Sequence, residues 1–204
     1  MITINDVRRT TNLHKIPKSI GINKNIVLDY KLAEALETSD KMYWNYDFDV
    51  YLKKYEMNLQ RPYVWEHFQQ NEFILSLLLE KPIESVIIVE HEFGPNKKPL
   101  DKSNSVRYVI DGKQRLMTIQ KFLHNEFSVN INGQDAFYKD FDKELQRLFK
   151  SRVNSMTATV YYSYWDNEVT DDMKIILFNY YNFAGTPQTE EHKNNLQKLI
   201  DYKR

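Results

Sequence analysis

Hydrophobic positions recur along this chain with two periods, and the changes of period mark its elements. Over 68–80, Phe68, Phe73, Ile74, Leu77 and Leu78 fall largely on one helical face, which predicts an amphipathic helix that Pro82 stops. Val86, Ile87, Ile88 and Val89 then run without interruption between Pro82 and Gly94, as in a strand buried on both faces. A polar loop follows over 94–104. Residues 106–110 predict a second strand, Asp111 and Gly112 a turn, and Leu116, Ile119, Phe122 and Leu123 a helix entered directly from that strand.

The flanking parts are patterned less sharply. Residues 2–25 show no sustained period and predict an irregular lead-in, while Ile26, Leu28, Leu32, Ala33 and Leu36 predict a short helix broken at Ser39 and Asp40. Residues 43–55 are dense in aromatic side chains, with Phe48 and Leu52 spaced for a helical turn. Beyond the central helix, 127–131 predicts a strand ending at Asn132 and Gly133, 141–149 a helix and 157–164 a strand. Met173, Ile176, Leu177 and Tyr180 predict one face of a further helix, with a break at Gly185 and Pro187 and a polar helix over 190–203. The fold class expected is α+β, a small sheet flanked by helices with a helical C-terminal part.

Composition then narrows the chemistry. With no cysteine among 204 residues, thiol catalysis, thiolate zinc sites and disulfides are excluded. Lys plus Arg equal Asp plus Glu at 28 each, so a nucleic-acid partner would need a local patch rather than a net charge. The apolar runs fall well short of a membrane span, and the first eleven residues lack a signal-peptide pattern, so the expected location is the cytoplasm, with no membrane partner. The five histidines are not spaced as a helical zinc pair, and the P-loop, dinucleotide and nucleophile-elbow patterns do not occur.

Three segments offer chemistry. A helix that starts after a strand at Asp111 and Gly112 presents free N–H groups and a positive dipole end to an anion, with Lys113 and Arg115 adding charge. Asp111 can hold a metal ion or orient a water, and Gln114 can bond that water or a phosphate oxygen. The same spacing of Asp111 and Gln114 also describes a capping box with both cations in solvent. In the second segment, 60–65, Arg61 suits a phosphate and Tyr63 or Trp65 a base, although both aromatics also suit a core. In the third, 182–187, a helix ends in a Gly-containing turn, which serves equally as a plain C-cap. A nuclease built from Asp111 with Glu90 or Glu92 is a further option.

Taken in order, Gln60-Arg61-Pro62-Tyr63-Val64-Trp65, Asp111-Gly112-Lys113-Gln114-Arg115 and Asn182-Phe183-Ala184-Gly185-Thr186-Pro187 resemble the N-terminal domain family of GmrSD-type modification-dependent restriction systems. In that family the second motif is usually DGQQR followed by an apolar-Thr-apolar helix start, matched here by Leu116, Met117, Thr118 and Ile119. The resemblance covers roughly 45–200 and implies a ParB/sulfiredoxin-like mixed sheet. It divides the chain into a lead-in with a short helix over 1–40, a nucleotide-site core over 41–165 and a helical extension over 166–204. Sulfiredoxin chemistry itself needs a cysteine nucleophile and is excluded.

The resemblance further implies a nucleoside triphosphate, with Mg²⁺ or another divalent cation, bound and in several members hydrolysed, in the service of DNA restriction or phage defence. By position, Asp111, Gln114 and Arg115 would be catalytic, with Asp111 the metal ligand. Gln60, Arg61, Trp65, Gly112, Lys113, Thr118, Asn182 and Gly185 would bind the nucleotide. Lys113 departs from the family's glutamine, which either strengthens phosphate binding or marks the loss of hydrolysis. Many relatives continue into an HNH-type nuclease, whose pattern is not found here, so the expected partners are DNA and a separate nuclease or defence protein. The alternative is a non-catalytic regulatory or anti-defence binding protein built on the same fold.

Overall fold

The computed structural model describes residues 20–38, 45–90, 106–163 and 169–182. Its centre is a five-stranded mixed sheet built from β1 (Ile20–Val27), β2 (Asn45–Asp47), β5 (Val86–Glu90), β6 (Val106–Asp111) and β9 (Thr157–Ser163). The strand order is β1-β9-β5-β6-β2, in which β1 with β9 and β5 with β6 are antiparallel, and β9 with β5 and β6 with β2 are parallel. The hairpins β3 (Tyr51–Leu52) with β4 (Met57–Asn58) and β7 (Val129–Ile131) with β8 (Gln134–Ala136) stand outside this sheet.

Both faces of the sheet are covered, and β5 shows why its sequence is apolar throughout. Val86 and Ile88 enter one core with α1 (Leu32–Glu37), α2 (His67–Leu78), α3 (Lys113–Leu123) and α4 (Lys143–Asn154). Ile87 and Val89 point the other way, into a second core with the β3–β4 hairpin and α5 (Asp171–Asn182). The period-two alternation of a strand thus feeds two cores from one continuous run. Phe122 of α3 anchors the larger core, with Phe127, Phe141 and Phe149 at ring separations of 5.3–5.5 Å.

A buried ion pair ties the sheet to its edge. Arg107 Nε donates to Glu90 Oε2 at 2.6 Å, and its Nη1 donates to the Leu28 carbonyl at 2.6 Å. Burial pushes the Glu90 carboxyl above the usual carboxylate range, against the pull of Arg107. Glu90 is therefore committed to the framework and lies away from Asp111, which removes the nuclease arrangement for those two carboxylates, and Glu92, the other carboxylate of that option, lies outside the described residues.

Several sequence expectations need correction. Residues 20–25 belong to strand β1 rather than an irregular lead-in, and the expected helix over 26–36 begins only at Leu32, because Ile26 and Val27 are taken up by pairing with β9. The helical turn expected near Phe48 and Leu52 is instead the β3–β4 hairpin, fixed by Asp47, whose Oδ1 accepts from the amides of Asp49 and Val50. Phe68 is exposed, so α2 buries Phe73, Ile74 and Leu77, with Leu78 partly buried against the same core. In α5 the buried face carries Met173, Leu177 and Phe178 while Tyr180 is exposed. The predicted loop over 94–104 and the predicted helix over 190–203 lie outside the described residues. Among the described residues no helix is long and apolar enough to cross a membrane.

Candidate functional site

The first two candidate segments and the end of α5 meet in a cleft of about 750 Å³ where β6 passes into α3. Gln60, Arg61, Trp65, Asp111, Gly112, Lys113, Gln114, Arg115 and Asn182 all line it, although 60–65 and 111–115 are some fifty residues apart in sequence. Gly185 lies outside the described residues.

Gly112 makes the junction possible. It is the N-cap of α3 with φ +113° and ψ 0°, a left-handed conformation costly to any residue with a side chain. A Cβ there would also stand 2.9 Å from Val86 Cγ1, so the glycine packs β5 against the start of the helix as well as bending the chain. Among the described residues no side chain caps α3, which leaves its first-turn N–H groups without a side-chain acceptor there.

The capping box is not formed, because both of its members are used elsewhere. Gln114 reaches across to the first segment: its Oε1 accepts from the amides of Val64 at 2.9 Å and Trp65 at 3.3 Å, and its Nε2 donates to the Pro62 carbonyl at 3.1 Å. A second latch runs from the Thr118 hydroxyl to the Tyr63 hydroxyl at 2.8 Å, with Gln70 Nε2 donating to Tyr63 at 2.9 Å. Gln60 closes the other side by donating through Nε2 to the carbonyls of Val109 and Ile110 at 2.8 and 2.7 Å. Segment 60–65 is thereby held over α3 from both ends. Thr118 is fully buried and does not line the cleft, and its hydroxyl is bonded within this latch.

The cations divide into two kinds. Lys113 is not in solvent: its side chain is 6% exposed and its Nζ lies 2.5 Å from Asp49 Oδ1. Arg115 turns back along its own helix, with Nη2 donating to Asp111 Oδ2 at 2.9 Å and Nη1 to the Glu84 carbonyl. Arg61, half-buried on the cleft wall, has no ion pair or hydrogen bond among the described residues. Asp111, its side chain 41% exposed, keeps Oδ1 uncommitted among the described residues.

Two further contributors carry no sequence signal of their own. Asp49 holds Lys113 from 64 residues away, and Tyr181 lines the cleft with its hydroxyl bonded to that of Tyr161 on β9. Burial pushes the Tyr181 hydroxyl upward from its ordinary pKa, and the charge of Asp111 adds to the rise, so Tyr181 stays a neutral hydroxyl beside the carboxylate. Trp65 meets Phe73 edge to face at 5.4 Å and forms the apolar end of the cleft. Asn182 donates to the Ile110 carbonyl at 3.4 Å and to the Phe178 carbonyl at 3.0 Å, which closes the cleft from α5.

Among the described residues no three His, Asp or Glu side chains are grouped to hold a metal by themselves. Mg²⁺ commonly takes one or two carboxylates and completes its shell with phosphate oxygens and water, and the carboxylate residues that line this cleft, among the described residues, are Asp111 and Glu84.

Comparison with known families matches residues 48–204 to the model described as GmrSD restriction endonuclease, N-terminal domain. No curated protein and no solved structure matches the chain.

Proposed function

Because the chain belongs to the GmrSD restriction endonuclease N-terminal domain family, we propose that it serves a restriction or phage-defence system and that its cleft binds the phosphates of a nucleoside triphosphate. The observation that carries this reading is the junction at Gly112: a helix start without a side-chain cap, and Arg61 without an ion pair, both among the described residues, face one cleft of nucleotide size. Phosphate oxygens accept from the first-turn amides of α3 and from the Arg61 fork, and the helix dipole favours their charge. Trp65 offers the base an apolar surface.

Asp111, through Oδ1, and Glu84 are the carboxylates that would hold a divalent cation, which when bound neutralises charge on the phosphates. Arg115 fixes the orientation of Asp111 through the bond to Oδ2. Lys113 acts at one remove: its charge is shared with Asp49, and it contributes field more than direct contact.

A second reading, binding without turnover, is favoured by Gln114. Its amide is bonded through both ends to 62–65, so it orients a water only after releasing that segment. In either reading nucleotide occupancy signals to a separate nuclease or defence protein acting on DNA.

Thermal melting with each nucleoside triphosphate, with and without Mg²⁺, tests the proposal, since a ligand bound only by the folded state adds RT ln(1 + [L]/Kd). A rise in midpoint that Arg61→Ala removes supports the cleft. If no triphosphate moves the midpoint, the reading falls. Phosphate release that Asp111→Ala abolishes selects hydrolysis, and binding without release selects the second reading.

A further inference from the structure

A second cavity, of about 670 Å³, lies between α1 and α4 on the far side of the larger core from α5. Its chemistry differs from that of the cleft. Lys143, Arg147 and Lys150 follow one another at i, i+4 and i+7 along α4 and line the cavity together. Lys150 is matched, with Nζ 2.6 Å from Glu37 Oε2. Lys143 and Arg147 are exposed and make no ion pair or hydrogen bond among the described residues.

Like charges at i,i+4 repel, and Lys143 occupies the first turn, where the positive end of the dipole disfavours a cation. The opposite wall holds Tyr30, a ring 81% exposed at the turn between β1 and α1. Glu34, the one carboxylate on the wall, is bonded through Oε2 to Asn154 Nδ2 at 3.2 Å, and Asn154 Oδ1 accepts from the Ala33 amide at 2.7 Å. The floor is therefore fixed while the two cations and the ring are left open.

We propose that this cavity is a second nucleotide-binding site, in which Lys143 and Arg147 take phosphate charge and Tyr30 stacks on a base. The two cations are set about 6 Å apart along the helix axis, enough to meet separate anionic groups. The ligand is a nucleotide, either free or as part of a single strand, and an aromatic face beside a cationic track is the arrangement that holds either form with little regard to sequence. Tyr30 and α1 precede residues 48–204, so the site joins the family domain to the segment before it.

The test uses the full chain, a fluorescent oligothymidylate followed by anisotropy, and thymidine monophosphate as competitor. The expected result is salt-sensitive binding that Lys143→Gln with Arg147→Gln weakens about tenfold or more, with the salt slope falling by roughly 0.7 for each cation removed. Tyr30→Ala weakens it by about tenfold. Arg61→Ala, in the cleft, leaves it unchanged, which separates this site from the triphosphate proposal. Displacement by the monophosphate identifies a free nucleotide as ligand, and resistance to displacement identifies a strand; both uphold the site. Absence of binding by either probe, an unaffected Lys143/Arg147 double variant, or loss of binding in Arg61→Ala overturns it. All three positions are exposed, so melting curves of the variants verify that the fold is kept.

Discussion

The cleft at the start of α3 and the cavity between α1 and α4 are nearly equal in size, about 750 and 670 Å³, yet they treat their cations in opposite ways. In the cleft Lys113 is matched to Asp49 and Arg115 to Asp111, and Arg61 has no ion pair among the described residues. In the cavity Lys150 is matched to Glu37 while Lys143 and Arg147 stand open. The first is a shaped surface whose polar groups mostly hold one another; the second sets two exposed cations, without ion pairs among the described residues, over a fixed floor. Shape resists salt, whereas exposed charge is screened within about 8 Å at physiological ionic strength.

The largest effect is expected where shape is made. Gly112→Ala places a side chain in a left-handed conformation and against Val86, and denaturant unfolding is expected to show a loss of about 3 kcal/mol. A near-neutral result would mean that the junction is looser than its geometry. Next comes Asp49→Ala, which strands the buried Lys113; because Asp49 is more than half exposed, water offsets part of the loss, leaving about 2 kcal/mol. The double variant with Lys113→Met should recover much of that deficit, which a loss unrelated to charge would not allow.

Gln114→Ala removes the bonds to 62–65 and is expected to cost about 1 kcal/mol, with amide exchange rising at Val64 and Trp65 before anywhere else in the cleft. Uniform exchange across the chain would argue that the latch is not local. Arg61→Ala should leave stability within about 0.5 kcal/mol while abolishing the triphosphate-dependent melting shift. At the bottom of the scale, Lys143→Gln with Arg147→Gln should change stability by no more than a few tenths of a kcal/mol, in the favourable direction, since it relieves an i,i+4 repulsion. A marked loss there would show that these cations serve the fold.

What the sequence displayed and what it hid follow from the range of the interactions. The β5 run, the β6–α3 passage and α2 were legible because each is set by neighbours within a few turns or strand residues. Asp111 through Arg115 and Gln60 through Trp65 stand out as polar groups at a helix start and beside a helix, and the structure places the first set with Gln60, Arg61 and Trp65 on one cleft. Their individual tasks were not legible, because Gln114 and Thr118 spend their hydrogen bonds on residues about fifty positions away, and Lys113 on Asp49. Strand β1 is hidden for a related reason: Lys24 breaks the alternation of Ile20, Ile22 and Ile26, and the pairing that makes it a strand comes from β9, more than a hundred residues on.

That late partner has a practical consequence. β1 covers the outer edge of β9 along nearly its whole length, and Leu28, Leu32, Ala33 and Leu36 behind it fill the same core as Phe122 and Phe149. A chain cut back to the family boundary at residue 48 would bare an unpaired edge rich in β-branched and aromatic residues, Thr157–Ser163, together with the apolar floor beneath α1. Such a fragment is expected to self-associate edge to edge, and any work on the isolated domain should start no later than Ile20.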